Sequence, residues 1–327
     1  MVDVSRLIDA ALEAPILPSF SRVGYAVRSR TEHWSKLDEA NLTGRTVVVT
    51  GATSGLGLVL CAQLARCGAH VVLWGRDRAK TDRALDAVAG QRVRGTMSTA
   101  IADMGDLDAV RSAASSLLTA HPRIDAVVHN AGALSATRNT NAAGRELTIA
   151  SQVLGPFLLT SLLLDRLRAS SVARVITMSS GGMYAAPLTV DHLEMGDDYR
   201  GTEQYARAKR AQVTLNEMWA DVVDPLEVVF HAVHPGWADT PGVQESLPGF
   251  RRVMRPLLRT AAQGADTAAW LVADDAALRT SGRFWHDRRV RSIHRLGSTR
   301  RSDTPERRRQ LWDWCVEHTG VNPAASR

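Results

Sequence analysis

Runs of branched apolar residues, each followed by a turn and an amphipathic stretch, recur through the middle of the chain. "RTVVVT" (45–50) reads as a strand and "VLCAQLARCG" (59–68) as a helix ending at Gly68. "HVVLWG" (70–75) predicts a second strand, followed by a polar helix from about Ala79 to Ala89. A third strand falls within 95–104, and the helix over 106–120 stops before Pro122. Strands at 124–130 and 173–180 flank a long helix near 142–169, and a sixth strand lies within 226–236. Strands that are apolar throughout are buried on both faces, which is the mark of a parallel sheet covered by helices. Right-handed crossovers then distribute those helices over both sides. The expected fold class is α/β: a doubly wound parallel sheet in a single domain, with helical extensions at both ends.

The ends follow other rules. Residues 1–43 form an extension whose amphipathic pattern is broken by Pro15 and Pro18. It reads either as a clamp on the domain or as a membrane-surface segment inserting Leu7, Ile8, Ile16, Leu17, Phe20 and Tyr25. The α/β domain is expected to span 44–300, and 301–327 a C-terminal helix and tail. Pro305 at a helix start predicts a helix through about His318, burying Leu311, Trp312 and Cys315 or Val316. The closest approach to a membrane span, Val153 to Leu164, ends at Asp165 and reads as a buried helix; there is no signal-peptide layout.

Composition changes this picture little: 45% hydrophobic and 23% charged residues over 327 positions are ordinary for a soluble protein. Cys61, Cys67 and Cys315 have no metal-ligand spacing, so no metal is expected. A reducing cytoplasm is the expected setting, with peripheral membrane association as the alternative. The net charge of +6 is local: eleven arginines between Arg279 and Arg309 face only Asp287, Asp303 and Glu306. Those arginines lack the interleaved aromatics of a stacking platform. They predict a solvated or phosphate-facing surface, and no nucleic-acid partner.

Candidate chemistry begins after the first strand. In "TGATSGLGL" (50–58), Gly51, Gly55 and Gly57 permit a tight turn and bring a pyrophosphate to a helix N-terminus, with Thr53, Ser54 and Leu56 between them. Position, between strand and helix, makes this a Rossmann-type turn. Further along, "YARAK" places Tyr205 and Lys209 one helical turn apart on a shared face. Alone, such a pair is more often an aromatic and a cation on a solvated helix.

Together, "TGATSGLG", "HNAG" (129–132), "ITMSS" (176–180), "YARAK" (205–209) and "HPGWADT" (234–240) resemble the short-chain dehydrogenases/reductases in order and spacing, over about 44–290. Longer strings such as "VITMSSGGM" and "SGRFWHDR" resemble the branch of dehydrogenase/reductase SDR family member 12, akin to the retinol-dehydrogenase-like reductases. The resemblance implies a nicotinamide cofactor and hydride transfer between a carbonyl and an alcohol. In the family pattern Tyr205 is the general acid/base, Lys209 lowers its pKa and holds the nicotinamide ribose, and Ser180 polarises the substrate oxygen. Asp103 and Met104 lie at the adenine, and Asn130, Ala131 and Gly132 line the nucleotide cleft. Pro235, Gly236, Trp237 and Thr240 belong to the nicotinamide end, Thr240 reaching its amide.

Two positions refine that implication. An NAD enzyme carries an acid at the end of the second strand to accept from the ribose 2′-hydroxyl. Here Gly75 stands there, followed by Arg76 and, nearby, Arg78, which suit a 2′-phosphate; NADP(H) is therefore favoured over NAD(H). The family's fourth catalytic residue, an asparagine, aligns with Gln152, one methylene longer. That shifts the ordered water it helps place toward Lys209 and puts catalytic efficiency in question. A cofactor-binding sensor or scaffold without turnover is the alternative reading. The stretch 243–260 mixes Leu247, Phe250, Met254, Leu257 and Leu258 with four arginines, suggesting a lid over a lipophilic carbonyl or alcohol. Homodimerisation is left open.

Overall fold

A computed structural model describes residues 4–323; the first three residues of the extension and the last four of the tail lie outside the described residues. The strands are β1 (Thr46–Thr50), β2 (His70–Gly75), β3 (Met97–Ile101), β4 (Ala126–His129), β5 (Ala173–Met178), β6 (Val228–His234), β7 (Arg283–His286) and β8 (Arg289–Arg291). They form one sheet in the order β3-β2-β1-β4-β5-β6-β7-β8, parallel throughout except for the antiparallel β7–β8 pair. Chain order reverses between β1 and β4, so a cleft opens there at the carboxyl ends of the strands.

Strands β1, β2, β4, β5 and β6 are buried almost throughout because both of their faces are covered. Gly55–Arg66, Arg78–Ala89 and Ala261–Ala273 bury Leu60, Leu64, Val88, Ala265 and Leu271 on one side. Leu107–Ala120, Leu147–Arg168, Gly201–Val222 and Pro305–Thr319 cover the other with Val110, Leu117, Val153, Phe157, Leu215 and Leu311. Trp312 of the last helix sets its ring edge-on to Phe157 and Trp219, docking the C-terminus as its apolar spacing requires. Leu147–Arg168 is long and apolar enough to cross a membrane, yet its apolar window is 78% buried among these neighbours. The helix carries one π-helical turn, Ala150–Leu154, just before Pro156.

β7 and β8 extend the sheet beyond the six strands legible in the sequence. Both are short, and the turn between them places Asp287 and Arg288 at φ 53°, outside the usual range for non-glycine residues. Ion pairs fix the turn: Asp287 meets Arg28 and Arg259, and Arg288 forks onto Asp266. The extension forms three short helices, Val4–Glu13, Ile16–Phe20 and Arg22–Thr31, against this edge. The arginines of 279–309 divide: Arg289, Arg291 and Arg295 turn onto Glu32, Asp9 and Glu13 of the extension, while Arg279, Arg283, Arg300, Arg301, Arg307 and Arg309 stay exposed. The partners of the first three are far apart in sequence, which is why local charge counting did not reveal those pairs.

Candidate active site

The carboxyl ends of the strands gather nearly every residue singled out above. The turn after β1 places Gly51 at φ 65° and Gly55 at φ 55°. A Cβ on Gly51 would lie 2.7 Å from Ala131 Cα, and one on Gly57 2.2 Å from the Gly51 carbonyl oxygen. No side chain fits at either position, so the backbone stays bare where Gly55–Arg66 begins. Ser54, at its N-cap, makes no side-chain cap, and Thr53 and Leu56 are half-buried at the rim. A helix N-terminus with free N–H groups and room for close approach suits a pyrophosphate.

The neighbours of this cradle divide into holders and lining. Asn130 is a latch: its side-chain amide donates to the carbonyls of Thr50 and Gly51, 3.0 and 3.2 Å away. Ala131 donates its N–H to Thr50 Oγ1 at 3.0 Å. The Asp103 carboxylate accepts from the Gly105 N–H, and Met104 is buried against Gly155. Thr240 caps Pro241–Ser246 and approaches Gly55, while Gly236, at φ 71°, leaves space that the Arg259 guanidinium fills. At the end of β2, a Cβ on Gly75 would lie 2.1 Å from Thr81 Oγ1, so no acidic side chain fits there. Arg76 follows, exposed.

Ser180 ends the strand-to-turn passage after β5, and Tyr205 and Lys209 sit on the helix Gly201–Val222 that crosses it. The Lys209 ammonium lies 5.2 Å from the Tyr205 ring centroid. Burial pushes the Tyr205 hydroxyl up to about 12, and the Ser180 hydroxyl beside it pulls the other way. Burial also pulls Lys209 down to about 7. Ser179 instead points inward to the Lys209 carbonyl. Gln152 is fully buried on the π turn; its amide donates to the Ala133 carbonyl at 2.8 Å, while Oε1 has no partner and faces Gly132.

Sequence reasoning missed two contributors. One is Gln212, which touches Lys209; its only signal is a spacing of three residues on the same helix. The other is the extension, which reaches the site itself. The Phe20 ring lies 4.2 Å from that of His234 and 5.7 Å from that of Trp237, centroid to centroid. Trp237 donates its N–H to the Phe20 carbonyl at 2.8 Å, and its ring meets Phe250 edge-on at 5.3 Å. An aromatic row thus runs from beneath Gly181 toward the helix Pro248–Met254. The two surface grooves near the amino ends of β6 and β7, about 560 and 540 Å³, lie away from this chemistry.

A doubly wound sheet, a bare glycine cradle at the switch point and a half-buried tyrosine over a buried lysine are the features of a dinucleotide-dependent oxidoreductase. A family model described as short chain dehydrogenase matches residues 45–249. Dehydrogenase/reductase SDR family member 12 from Homo sapiens is 35% identical over 258 residues, covering 78% of this chain and 80% of its own. Retinol dehydrogenase 14 from Mus musculus is 29% identical, covering 76% and 80%. Among solved structures, an uncharacterized protein from Mycobacterium paratuberculosis superposes with a TM-score of 0.69 at 24% identity, covering 88% and 98%. The chain belongs to the short-chain dehydrogenase/reductase family. It is an NAD(P)-dependent oxidoreductase acting on CH–OH and C=O groups of small molecules.

Proposed function

We propose that the chain is an NADP(H)-dependent reductase of lipophilic carbonyl compounds, or a dehydrogenase of the matching alcohols, working through Ser180, Tyr205 and Lys209. One observation carries the reading: the Ser180 hydroxyl stands beside the Tyr205 hydroxyl while the Lys209 ammonium lies 5.2 Å from that ring. The cradle of Gly51 and Gly57, where a Cβ would clash, fits the dinucleotide. When bound, the nicotinamide supplies or accepts the hydride. Ser180 donates to the substrate oxygen, and Tyr205 gives its proton to the alkoxide as charge develops there. The resting phenol resists ionisation, so it holds that proton; a cation close by eases its release.

Preference for NADP(H) rests on Arg76 free at the end of β2 and on Gly75, where Thr81 leaves no room for an acid. A lipophilic substrate rests on the aromatic row of Trp237 and Phe250. Leu7, Ile16 and Leu17 stay about half exposed on the extension and are the residues for a peripheral membrane contact. Cosedimentation with phosphatidylserine vesicles tests that part. The central test is Tyr205→Phe, assayed with NADPH against lipid aldehydes, ketosteroids and quinones. Turnover should fall by roughly 10²–10⁴-fold with NADPH affinity held within a few-fold. A variant keeping more than about a tenth of the rate removes Tyr205 from the role.

A further inference from the structure

We propose that Gln212 is a positioning residue of this site: its amide bridges the Lys209 ammonium to the backbone of the π turn and so fixes the cation beside Tyr205. The proposal rests on the reading of Tyr205 and Lys209 as the working pair.

The chain of contacts begins with a proline. In a helix the carbonyl of residue 152 accepts from the N–H of residue 156. Residue 156 is proline and has no N–H, and the helix widens into the π turn Ala150–Leu154 just before it. The Gln152 carbonyl thus lacks its α-helical donor. Gln212 supplies one: its Nε2 donates to that carbonyl at 2.6 Å. The other end of the same amide, Oε1, accepts from Lys209 Nζ at 3.0 Å. The orientation of the amide is fixed by its partners, because a carbonyl can only accept and an ammonium can only donate. Lys209 Nζ makes a second bond, to the Met178 carbonyl at 2.9 Å at the end of β5. Two of its three N–H bonds are thereby taken, and their directions set where the third points.

Among the described residues no carboxylate pairs with Lys209. Its contacts are the Met178 carbonyl, the Gln212 amide and the Tyr205 ring. Lys209 and Gln212 are both almost fully buried, so the ammonium depends on these two acceptors to stay charged in place of water. Burial draws Lys209 toward neutrality, and each acceptor opposes that. Simple burial of a satisfied glutamine would explain the hydrogen bonds but would not tie them to the ionisation of Tyr205.

The experiment reads that ionisation directly. The ultraviolet phenolate titration of Tyr205 is obtained as the difference between the protein and its Tyr205→Phe variant, both saturated with NADP⁺, and repeated in Gln212→Leu and Gln212→Glu backgrounds. Gln212→Leu removes both legs of the bridge and should raise the Tyr205 midpoint by about one pH unit, with NADPH binding several-fold weaker. Gln212→Glu keeps the acceptor for Lys209 but loses the donor to the Gln152 carbonyl and sets a carboxylate oxygen against it, so the midpoint should rise here too. Parent-like titration in either Gln212→Leu or Gln212→Glu overturns the proposal. If Gln212→Leu does not fold, the Gln212→Glu midpoint decides alone. Failure of the underlying reading looks different: the parent would show no Tyr205 phenolate signal, and this proposal would fall with it.

Discussion

Arg28 and Asp287, 259 residues apart in the chain, meet at 2.7 Å with both side chains fully buried. Arg259 grips the same carboxylate at 2.6 and 2.8 Å, and Arg28 also holds Asp9 and Glu13. Burial pushes Asp287 upward, but His286 and the two guanidiniums outweigh it and hold the carboxyl well below its usual range. His286 is itself drawn down by burial, so at neutral pH the arginines carry this pairing. Removing one partner leaves a buried charge uncompensated, which costs about 3–5 kcal/mol. Asp287→Asn should lose stability on that scale in urea unfolding, and a loss below about 1 kcal/mol would contradict the clamp.

Acid should release the extension before the sheet. Asp9 and Glu13 are opposed by burial yet held below their usual range, by Arg291 and Arg28 for Asp9 and by His286 and Arg291 for Glu13. A folded pKa below the unfolded one gives stability that is present above the unfolded value and lost as pH falls. The unfolded values are 3.8 and 4.5, so the loss starts below about pH 4. Hydrogen-exchange protection over 4–31, taken relative to the intrinsic rate at each pH, should fall between pH 4 and 2.5 while that of β1 and β4 is kept. Uniform exchange across both regions would show that the extension is not a separate unit.

The sheet was legible because β1, β2, β4, β5 and β6 carry runs of Val, Ile or Leu, as burial on both faces demands, and β3 was placed by its position in the alternation of strands and helices. β7 and β8 were not, since "RFWH" and "RVR" are short and charged and their turn depends on distant arginines. The glycine turn stood out by its place between a strand and a helix, whereas Ser180, Tyr205 and Lys209 were singled out through the family resemblance and not through spacing alone. Gln212 was hidden, because its part depends on a backbone carbonyl of another helix, that of Gln152, to which Pro156 cannot donate. Arg289, Arg291 and Arg295 were visible as charge but not as anchors, since Asp9, Glu13 and Glu32 lie about 250 residues or more away.

Arg76→Asp should weaken NADPH far more than NADH. A guanidinium at the end of β2 can pair with a 2′-phosphate, and the exchanged carboxylate repels it. A charge-assisted bond is worth about 1.5–3 kcal/mol, or roughly 10–100-fold in the dissociation constant. Fluorescence titration with both cofactors measures it, and equal weakening would show that Arg76 does not read the phosphate.

Lys209 gives the protein a stability slope opposite to that of the acids. Its folded pKa is about 7 against 10.5 unfolded. Between those values the unfolded chain binds the proton and the folded one does not, so stability rises with pH across this window and the cost is complete below it. Lys209→Met removes the term. The stability of the parent relative to that variant, from urea unfolding without cofactor, should climb between pH 7 and 10. A flat difference would mean that the buried amine keeps its proton throughout.

Gln152→Asn restores the amide that the family resemblance leads one to expect, and from sequence alone the exchange should speed turnover by freeing space for water near Lys209. The contacts in the structure support the opposite prediction. The Gln152 side chain donates to the Ala133 carbonyl, and the acceptor beside Lys209 is the Gln212 amide. What Gln152 offers Lys209, through Gln212, is its backbone carbonyl, which the exchange leaves in place. A shorter side chain pulls the amide back from Ala133 and opens a methylene-sized gap at a position with no exposure. The two losses together amount to about 1–2 kcal/mol. Gln152→Asn should therefore melt lower with kcat unchanged or reduced, and with NADPH affinity nearly the same. Steady-state kinetics on the best substrate of the carbonyl panel, with thermal melts alongside, decide between the two. A rise in kcat would show that Gln152 does hinder the relay and that the bridge through Gln212 is not what sets Lys209 in place.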